Sequence, residues 1–446
     1  MIAPARQISY RILLQIADPS AHSDQFLHGR EVDALSAPDR NLTTTLVLGT
    51  LRWQLALDDR IRPLLARPNA KLRPETATAL RLGAFQLLHL DRIPAHAAIN
   101  DSVELVKTSA ERNAAGMVNA VLRKIAAQPR PVLPERFSSA QQIAAALAHP
   151  AWMVERWAGR YGLVAAESIC RWNQEPAAIT IRLSDPAMLP AGLQVEPGAF
   201  LAASRRVLRG DLAAHPELRI QDEASQLVAE IAAAAVPGAA QILDTCAAPG
   251  GKTAILAGRL QSAQITAVDV SRRRLDAMTS LLARSLPGLS EHSRPRCVVA
   301  DASRLKLDPT YDLILCDVPC SGTGTIGRNP EIRFRVDQAD LARQQARQLA
   351  ILRSSLAGLA PSGRLVYSTC SLEPEESEAV IEAVLAEFPQ TRIVPVAPLL
   401  DQFLDARILT PQGRELLRTA VVGDFLRTLP GVHPCDGFFA AVLEHA

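Results

Sequence analysis

The sequence has few aromatics, almost no net charge, no paired-cysteine motif and no long apolar run. Phe, Trp and Tyr make up only 4% of 446 residues, so its cores must be built mainly from Ala, Leu, Val and Ile. Lys and Arg number 48 against 46 Asp and Glu, a formal net charge of +2. That balance excludes a globally basic nucleic-acid binder; any such contact has to come from local patches. No run of about 18 apolar residues occurs, so no membrane-spanning helix and no membrane partner are expected. The opening residues Met1 to Arg6 lack the apolar core of a signal peptide. The seven cysteines are odd in number, form no C-x-x-C pair, and six of them lie at or after Cys246. This argues against a disulfide framework and a metal site, and for a reducing, cytoplasmic compartment. What is plentiful is hydrophobic residues, 48%, in a chain long enough for two or three domains.

One stretch organises the rest, Gln241-Ile-Leu-Asp-Thr-Cys-Ala-Ala-Pro-Gly-Gly-Lys-Thr253. An apolar run ends in polar residues, then Pro249, Gly250 and Gly251 lead into a helical pattern from Thr253 to Leu260. Strand, tight glycine turn and helix form a place where backbone N–H groups can approach a ligand. A second strand, Gln264 to Asp269, ends in a carboxylate suited to a ribose diol. The end of the turn resembles a phosphate-binding P-loop, but Cys246 stands where that motif needs glycine. The third glycine of a dinucleotide fingerprint is also absent. S-adenosylmethionine, with adenosine but no pyrophosphate, fits better.

Residues from about 5 to 128 read as helices. Ile8, Ile12, Leu13 and Ile16 recur at helical spacing, as do Leu42, Leu46, Leu51 and Leu55. Arg112 and Arg123 are candidate phosphate contacts, although cations in a last helical turn also suit the helix dipole. Gln128 to Pro134 is proline-rich and marks a boundary. A smaller module follows, with Trp152 and Trp157 on a helix and Ile179 to Leu183 alternating like a strand. Pro186, Pro190, Pro197 and Gly198 punctuate irregular structure, and Arg205, Arg206 and Arg209 form a short basic run.

Beyond Asp269 the alternation of strands and helices continues. Leu275 to Leu286 is expected as a helix, and Arg296 to Asp301 and Tyr311 to Asp317 as strands. A helix over Ala339 to Leu359, a strand over Gly363 to Thr369 and an acidic helix over Pro374 to Glu387 come next. Gly437 to Leu443 is a last strand. This pattern predicts an open parallel sheet with its ligands at the strands' C-terminal ends. Cys246, Asp269, Asp301, Asp317 and Cys370 all fall at or just past such ends.

Asp317-Val-Pro-Cys-Ser-Gly-Thr-Gly324 and Ser368-Thr-Cys-Ser371 each follow a strand, which sets two thiols over one sheet edge. A lone cysteine is usually a small buried apolar residue. Two at strand ends beside a cofactor loop suggest methylation of a pyrimidine carbon. C5 of cytosine is a poor nucleophile; a thiolate adding to C6 makes it enamine-like. The adduct must then lose the C5 proton and expel the sulfur, which calls for a base or a second assisting group. Asp317, three residues from Cys320, is placed to hydrogen-bond N3.

These motifs, with Asp244 to Thr253 and Asp436-Gly-Phe-Phe439, resemble the RNA 5-methylcytosine methyltransferases of the Sun/NOL family. Ala98 to Val106 and Val118 to Lys124 resemble a NusB-like domain. That pairing is similar to bacterial members acting on a cytosine of 16S rRNA. The resemblance implies a multidomain chain. An all-α NusB-like RNA-binding domain would span residues 1–130 and a small α+β module 131–236. An α/β Rossmann-like class I methyltransferase domain would span 237–446. It implies Cys370 as nucleophile and Cys320 as the thiol assisting product release. It implies that Cys246, Ala247, Ala248, Pro249, Gly250, Gly251 and Lys252 wrap the methionine part of S-adenosyl-L-methionine. Asp269 would hold the ribose, Asp301 the adenine side and Asp317 the methyl-transfer site, with Arg274 supporting the pocket and Lys252 orienting substrate. A monomer acting on 16S rRNA, naked or in an early assembly intermediate, is expected. The alternatives are the same chemistry on tRNA or another RNA, or a silent RNA-binding assembly factor. Cys316 and Val318 depart from frequent family residues, apolar for apolar. The region 399–429 is longer than the family pattern suggests, and no further RNA-binding domain is expected after Phe439.

Overall fold

The computed structural model describes residues 2–18, 21–183, 189–289, 291, 293–308 and 310–445. Pro186 lies outside the described residues. Two compact units form. One comprises residues 1–176 with 326–335; the other comprises 177–325 with 336–446.

The first unit is helical. Its main helices are Pro4–Ile16, Ala37–Ile61, Pro74–His89, Ala95–Lys107 and Ala115–Ala126. Ile8, Ile12, Leu46, Leu82, Phe85, Leu105, Val118 and Leu122 are buried in one core, as the helical spacing of apolar residues requires. The helix Ala37–Ile61 begins where Ser36 Oγ accepts from the Asp39 N–H, with Pro38 in the first turn. Three further helices, Ala140–Ala146, Ala151–Tyr161 and Leu163–Gln174, belong to the same unit. So does the excursion 326–335, whose Glu331 accepts from Ser23 N at 2.9 Å. The buried Arg333 donates to the carbonyls of Arg52 and Ala148 at 2.7 and 2.9 Å. Arg123, at its helix end, donates to Asn119 and is exposed.

The second unit contains two sheets. Strands β1 (Thr180–Arg182), β2 (Gln194–Pro197), β3 (Ser204–Arg209) and β4 (Arg219–Ile220) form an antiparallel sheet in the order β2-β3-β1-β4. The basic run lies on β3. Arg206 pairs with Glu196 at 3.0 Å, and Arg205 donates to the carbonyls of Ala202 and Ser204.

The large sheet contains β5 (Gln241–Asp244), β6 (Gln264–Asp269), β7 (Arg296–Val299), β8 (Tyr311–Asp317), β9 (Leu359–Thr369), β10 (Thr391–Val394), β11 (Val421–Val422), β12 (Phe425–Thr428) and β13 (Phe438–His445). Its order is β11-β12-β13-β9-β8-β5-β6-β7, with β10 also on β13. The five strands β7-β6-β5-β8-β9 are parallel, and β13 is antiparallel to β9. The sheet is therefore mixed, where the alternation of elements had suggested a parallel one. A strand returning without a crossover helix can join only antiparallel.

Burial alternates with period two along the central strands. Leu313, Leu315, Ala440 and Val442 enter one core; Ile314, Cys316, Phe439 and Ala441 enter the other. Cys316 is thus a core residue, consistent with an apolar-for-apolar exchange. The region that defied sequence reading covers the first face: the helices Val396–Asp405 and Pro411–Ala420 bury Leu399, Leu400, Phe403, Leu417 and Ala420 there. Strand β9 begins at Leu359, earlier than the expected Gly363, and the preceding helix ends at Leu356. Pro361 and Gly363 disguise the strand's first half, which joins β8 through a register shift. Among the described residues no helix is long and apolar enough to cross a membrane.

Candidate active site

Strand order reverses between β5 and β8, with β6 and β7 continuing on one side and β9 on the other. At such a switch point the loops leaving adjacent strands diverge and open a crevice. Three loops flank it: residues 245–250 after β5, 318–325 after β8 and 370–373 after β9.

The first loop turns into the helix Gly251–Arg259 through Gly250, whose φ is +97°. A Cβ there would lie 2.2 Å from Met278 Cγ, so both conformation and space demand glycine. Asp244, at the end of β5, is buried; its Oδ2 accepts from Thr253 Oγ1 at 2.7 Å. Its Oδ1 is buried without a partner. Desolvation pushes the Asp244 carboxyl up to about 7, against the Thr253 hydrogen bond. Cys246 is held protonated by burial, with the charges of nearby acids acting in the same direction.

Lys252 points back across the crevice. Its Nζ lies 2.7 Å from Asp317 Oδ2 and 2.7 Å from Ser225 Oγ, and 4.9 Å from the Phe438 ring centroid. Asp317 Oδ1 in turn accepts from Ser368 Oγ at 2.7 Å. The carboxylate at the end of β8 is therefore fixed from both sides, by a cation and by a hydroxyl from β9. Leu218, Arg219, Gln221, Ser225, Asp244, Cys246 to Pro249, Gly251, Lys252, Leu281 and Asp317 line a cavity of about 340 Å³.

The two motif cysteines meet. Cys320 Sγ and Cys370 Sγ are 3.3 Å apart, both half-buried. The Cys370 thiol is pushed well above its ordinary range, first by its hydrogen bond to Cys320, then by burial and the charge of Asp317; Lys252 opposes this. The loops carrying the thiols also touch through backbone. Gly324 N donates to Cys370 O at 2.8 Å, and Gly437 N to Gly324 O at 2.9 Å. A Cβ on Gly324 would stand 2.4 Å from Gly437 O and 2.7 Å from Cys370 O, which explains glycines in two separate motifs.

Other expected residues lie farther along the sheet. Asp269 is buried at the end of β6, where its Oδ1 accepts from Ser271 N at 2.9 Å and its Oδ2 pairs with Arg274 at 3.2 Å. Arg274 also donates to Ala248 O at 2.5 Å, tying the end of β6 to the first loop. Asp301 is exposed and caps the turn Ala302–Arg304, accepting from Ser303 N at 3.0 Å. The Ser303 hydrogen bonds hold its carboxyl below its usual value. Neither Asp269, Arg274 nor Asp301 lines the cavity above. Sequence reading missed Ser225, Gln221 and the unpartnered oxygen of Asp244. Their signal was present in Gln221-Asp-Glu-Ala-Ser225 and in the acid closing β5, but nothing local says which way a side chain points. Among the described residues no group of three or more His, Cys, Asp or Glu could hold a metal ion.

Residues 234–444 match the family described as 16S rRNA methyltransferase RsmB/F, and residues 3–127 match the NusB family. The probable ribosomal RNA small subunit methyltransferase B of Bacillus subtilis is 32% identical over 97% of both chains. The ribosomal RNA small subunit methyltransferase B of Thermus thermophilus is 36% identical, over 81% of this chain and 82% of its own. Among solved structures, PH0851 shares the fold, with a TM-score of 0.77 at 22% identity over 100% of this chain and 99% of that one. A methyltransferase homologue from Pyrococcus horikoshii has a TM-score of 0.53 at 26% identity, over 70% of this chain and 100% of that one. With near-complete coverage at this identity, this chain, in which an N-terminal NusB domain precedes the methyltransferase sheet, belongs to the 16S rRNA methyltransferase RsmB/F family.

Proposed function

We propose that the chain methylates C5 of a cytosine in 16S rRNA from S-adenosylmethionine, through a covalent cysteine–C6 adduct. The observation that carries this reading is the pair of thiols 3.3 Å apart at neighbouring strand ends, beside a carboxylate fixed by Lys252 and Ser368. Methylation of an exocyclic amine needs no thiol, whereas methylation of a pyrimidine carbon needs one and benefits from two.

The cavity's donor and acceptor set fits S-adenosylmethionine. The buried, unpartnered Oδ1 of Asp244 suits its ammonium group, and the loop Cys246 to Lys252 would wrap its methionine part. Asp269 would hold the ribose, with Arg274 bracing the loop, and Asp301 would lie toward the adenine. When bound, S-adenosylmethionine supplies the electrophilic methyl group that C5 takes.

Cys370 is proposed as nucleophile. Its sulfur bonds to C6 of the ring, and the electron pair of the C5–C6 double bond moves to make C5 nucleophilic. Asp317 would lie beside the ring and relay a proton from the Lys252 ammonium to N3 as the sulfur adds, drawing charge from the ring. After C5 is alkylated, the Cys320 thiolate takes the C5 proton, the C5–C6 double bond re-forms and the Sγ–C6 bond breaks, freeing Cys370 as its thiolate. Cys320 assists this release. In the free protein Cys370 is a neutral thiol hydrogen-bonded to Cys320. Substrate entry between the sulfurs would break that contact and favour the reactive thiolate. The target base must be single-stranded or flipped to reach this depth.

The test uses purified protein, small-subunit rRNA and labelled cofactor on a denaturing gel. Cys320→Ala should accumulate a covalent protein–RNA band, and Cys370→Ala should give neither band nor methylation. A band with Cys370→Ala instead would reverse the roles. Label appearing in tRNA but not in rRNA would overturn the substrate.

A further inference from the structure

Behind the two thiols lies a buried carboxylate to which the proposed chemistry assigns no part. Glu376 is 0% exposed, in the short turn Pro374–Glu376 after the Cys370 loop. Its Oε1 accepts from Ser321 N at 2.8 Å and from Gln348 Nε2 at 3.0 Å. Its Oε2 accepts from Ser371 Oγ at 2.5 Å and also from Ser321 Oγ. No cation among the described residues pairs with it. Burial raises its carboxyl above the usual range despite these donors.

The identity of the donors matters. Ser321 follows Cys320 and Ser371 follows Cys370, so one carboxylate receives bonds from the residue after each thiol. The two hydroxyls are themselves 3.1 Å apart. Gln348 also donates to Pro319 O at 3.0 Å, on the other side of Cys320. Tyr367 OH donates to Glu376 O at 2.7 Å, fixing the turn from β9. Two apolar neighbours would hold these loops less specifically. A buried carboxyl is expensive unless every lone pair is used, so its geometry is narrowly determined.

We propose that Glu376 is a positioning residue that clamps the Cys320 and Cys370 loops together and so sets the working separation of the two thiols. The proposal rests on the reading of both thiols as reactive. It touches neither substrate nor cofactor; it acts through Ser321 and Ser371. Reaction rates are steep in such placement, about 100-fold for an error of about 1 Å.

The experiment uses the full chain as Glu376→Ala, Glu376→Gln and the Ser321→Ala/Ser371→Ala double variant. Two readouts are taken: the kcat and KM of methylation, and the rate at which diamide closes a Cys320–Cys370 disulfide, followed by peptide mass spectrometry. One thiolate adds to diamide and the second displaces it as a hydrazine, so with excess glutathione competing for the adduct the rate of disulfide closure reports thiol proximity without any RNA. Glu376→Ala is expected to lower kcat about 100-fold, leave the cofactor KM within about two-fold, and slow disulfide closure at least about ten-fold. Glu376→Gln should recover most of both, since its amide oxygen still accepts from Ser321 N and the hydroxyls can turn to accept. If Glu376→Ala does not fold, the double serine variant decides, with a fall of about ten-fold expected in both readouts. Unchanged disulfide closure in the folded variants overturns the clamp, as does a fall in activity carried entirely by KM. If the wild type methylates nothing while closure still depends on Glu376, the functional reading fails and the clamp stands.

Discussion

Asp244 offers the sharpest prediction about cofactor binding. Its carboxyl is fully buried, keeps one oxygen unpartnered, and is raised to about 7 by desolvation. An ammonium-bearing ligand binds it only when it is ionised, so the ligand selects the minor form below pH 7. The apparent Kd then scales as one plus the ratio of protonated to ionised carboxyl. With a pKa of about 7 this factor is about 30 at pH 5.5 and about 2 at pH 7.0, a tightening of roughly 15-fold. The ligand's own α-amino group titrates near ~7.7–8.0, so the window stays below pH 7.5. Isothermal titration calorimetry with S-adenosylmethionine or its demethylated product measures the effect, with proton uptake read from buffers of different ionisation enthalpy. Asp244→Asn should flatten the pH dependence. It should also weaken binding at pH 7 by about 10- to 100-fold, the worth of one charge-assisted hydrogen bond. A wild-type Kd that is flat from pH 5.5 to 7.0, or an Asn variant with the same slope, refutes the assignment.

Thiol reactivity follows the same logic. Cys370 is held protonated first by Cys320, so Cys320→Ala should speed its alkylation by iodoacetamide at pH 7.5, and Lys252→Met should slow it, read by mass spectrometry of the Cys370 peptide. Gly324→Ala forces a methyl group against two backbone carbonyls and should abolish methylation while costing about 1–3 kcal/mol in urea unfolding; retained activity would contradict the close packing of the loops. In the helical unit, Gly49→Ala brings a Cβ to 2.0 Å from Phe85 Cζ and should destabilise by a similar ~1–3 kcal/mol. Combining it with Phe85→Leu should recover part of that loss, and strict additivity of the two substitutions would refute direct contact.

The strand ends that carry the proposed site were legible because their signals are local. β6 and β8 fall where apolar runs ending in aspartate placed them, and Gly250 sits at a positive φ that only its residue type accepts readily. In the antiparallel half of the large sheet β13 was legible as an apolar run, whereas β11 and β12 were not, because they are short and their neighbours are chosen by pairing. The helices over 396–420 carry an ordinary apolar stripe, and only the sheet face they cover gives that stripe a meaning. Nor does any spacing reveal that residues 326–335, reached from the Cys320 loop, belong to the helical unit.

The sequence alone determined which residue types are present for the proposed thiol-based methylation and which turns can carry them, since glycine, cysteine and aspartate have properties no neighbour supplies. Only the tertiary structure decided which of them meet. The 3.3 Å contact of Cys320 with Cys370, the bridge from Lys252 through Asp317 to Ser368, and the carboxylate of Glu376 beneath both thiols join residues tens of positions apart. Their separations are set by strand order and by burial that leaves a polar atom no partner but another part of the chain.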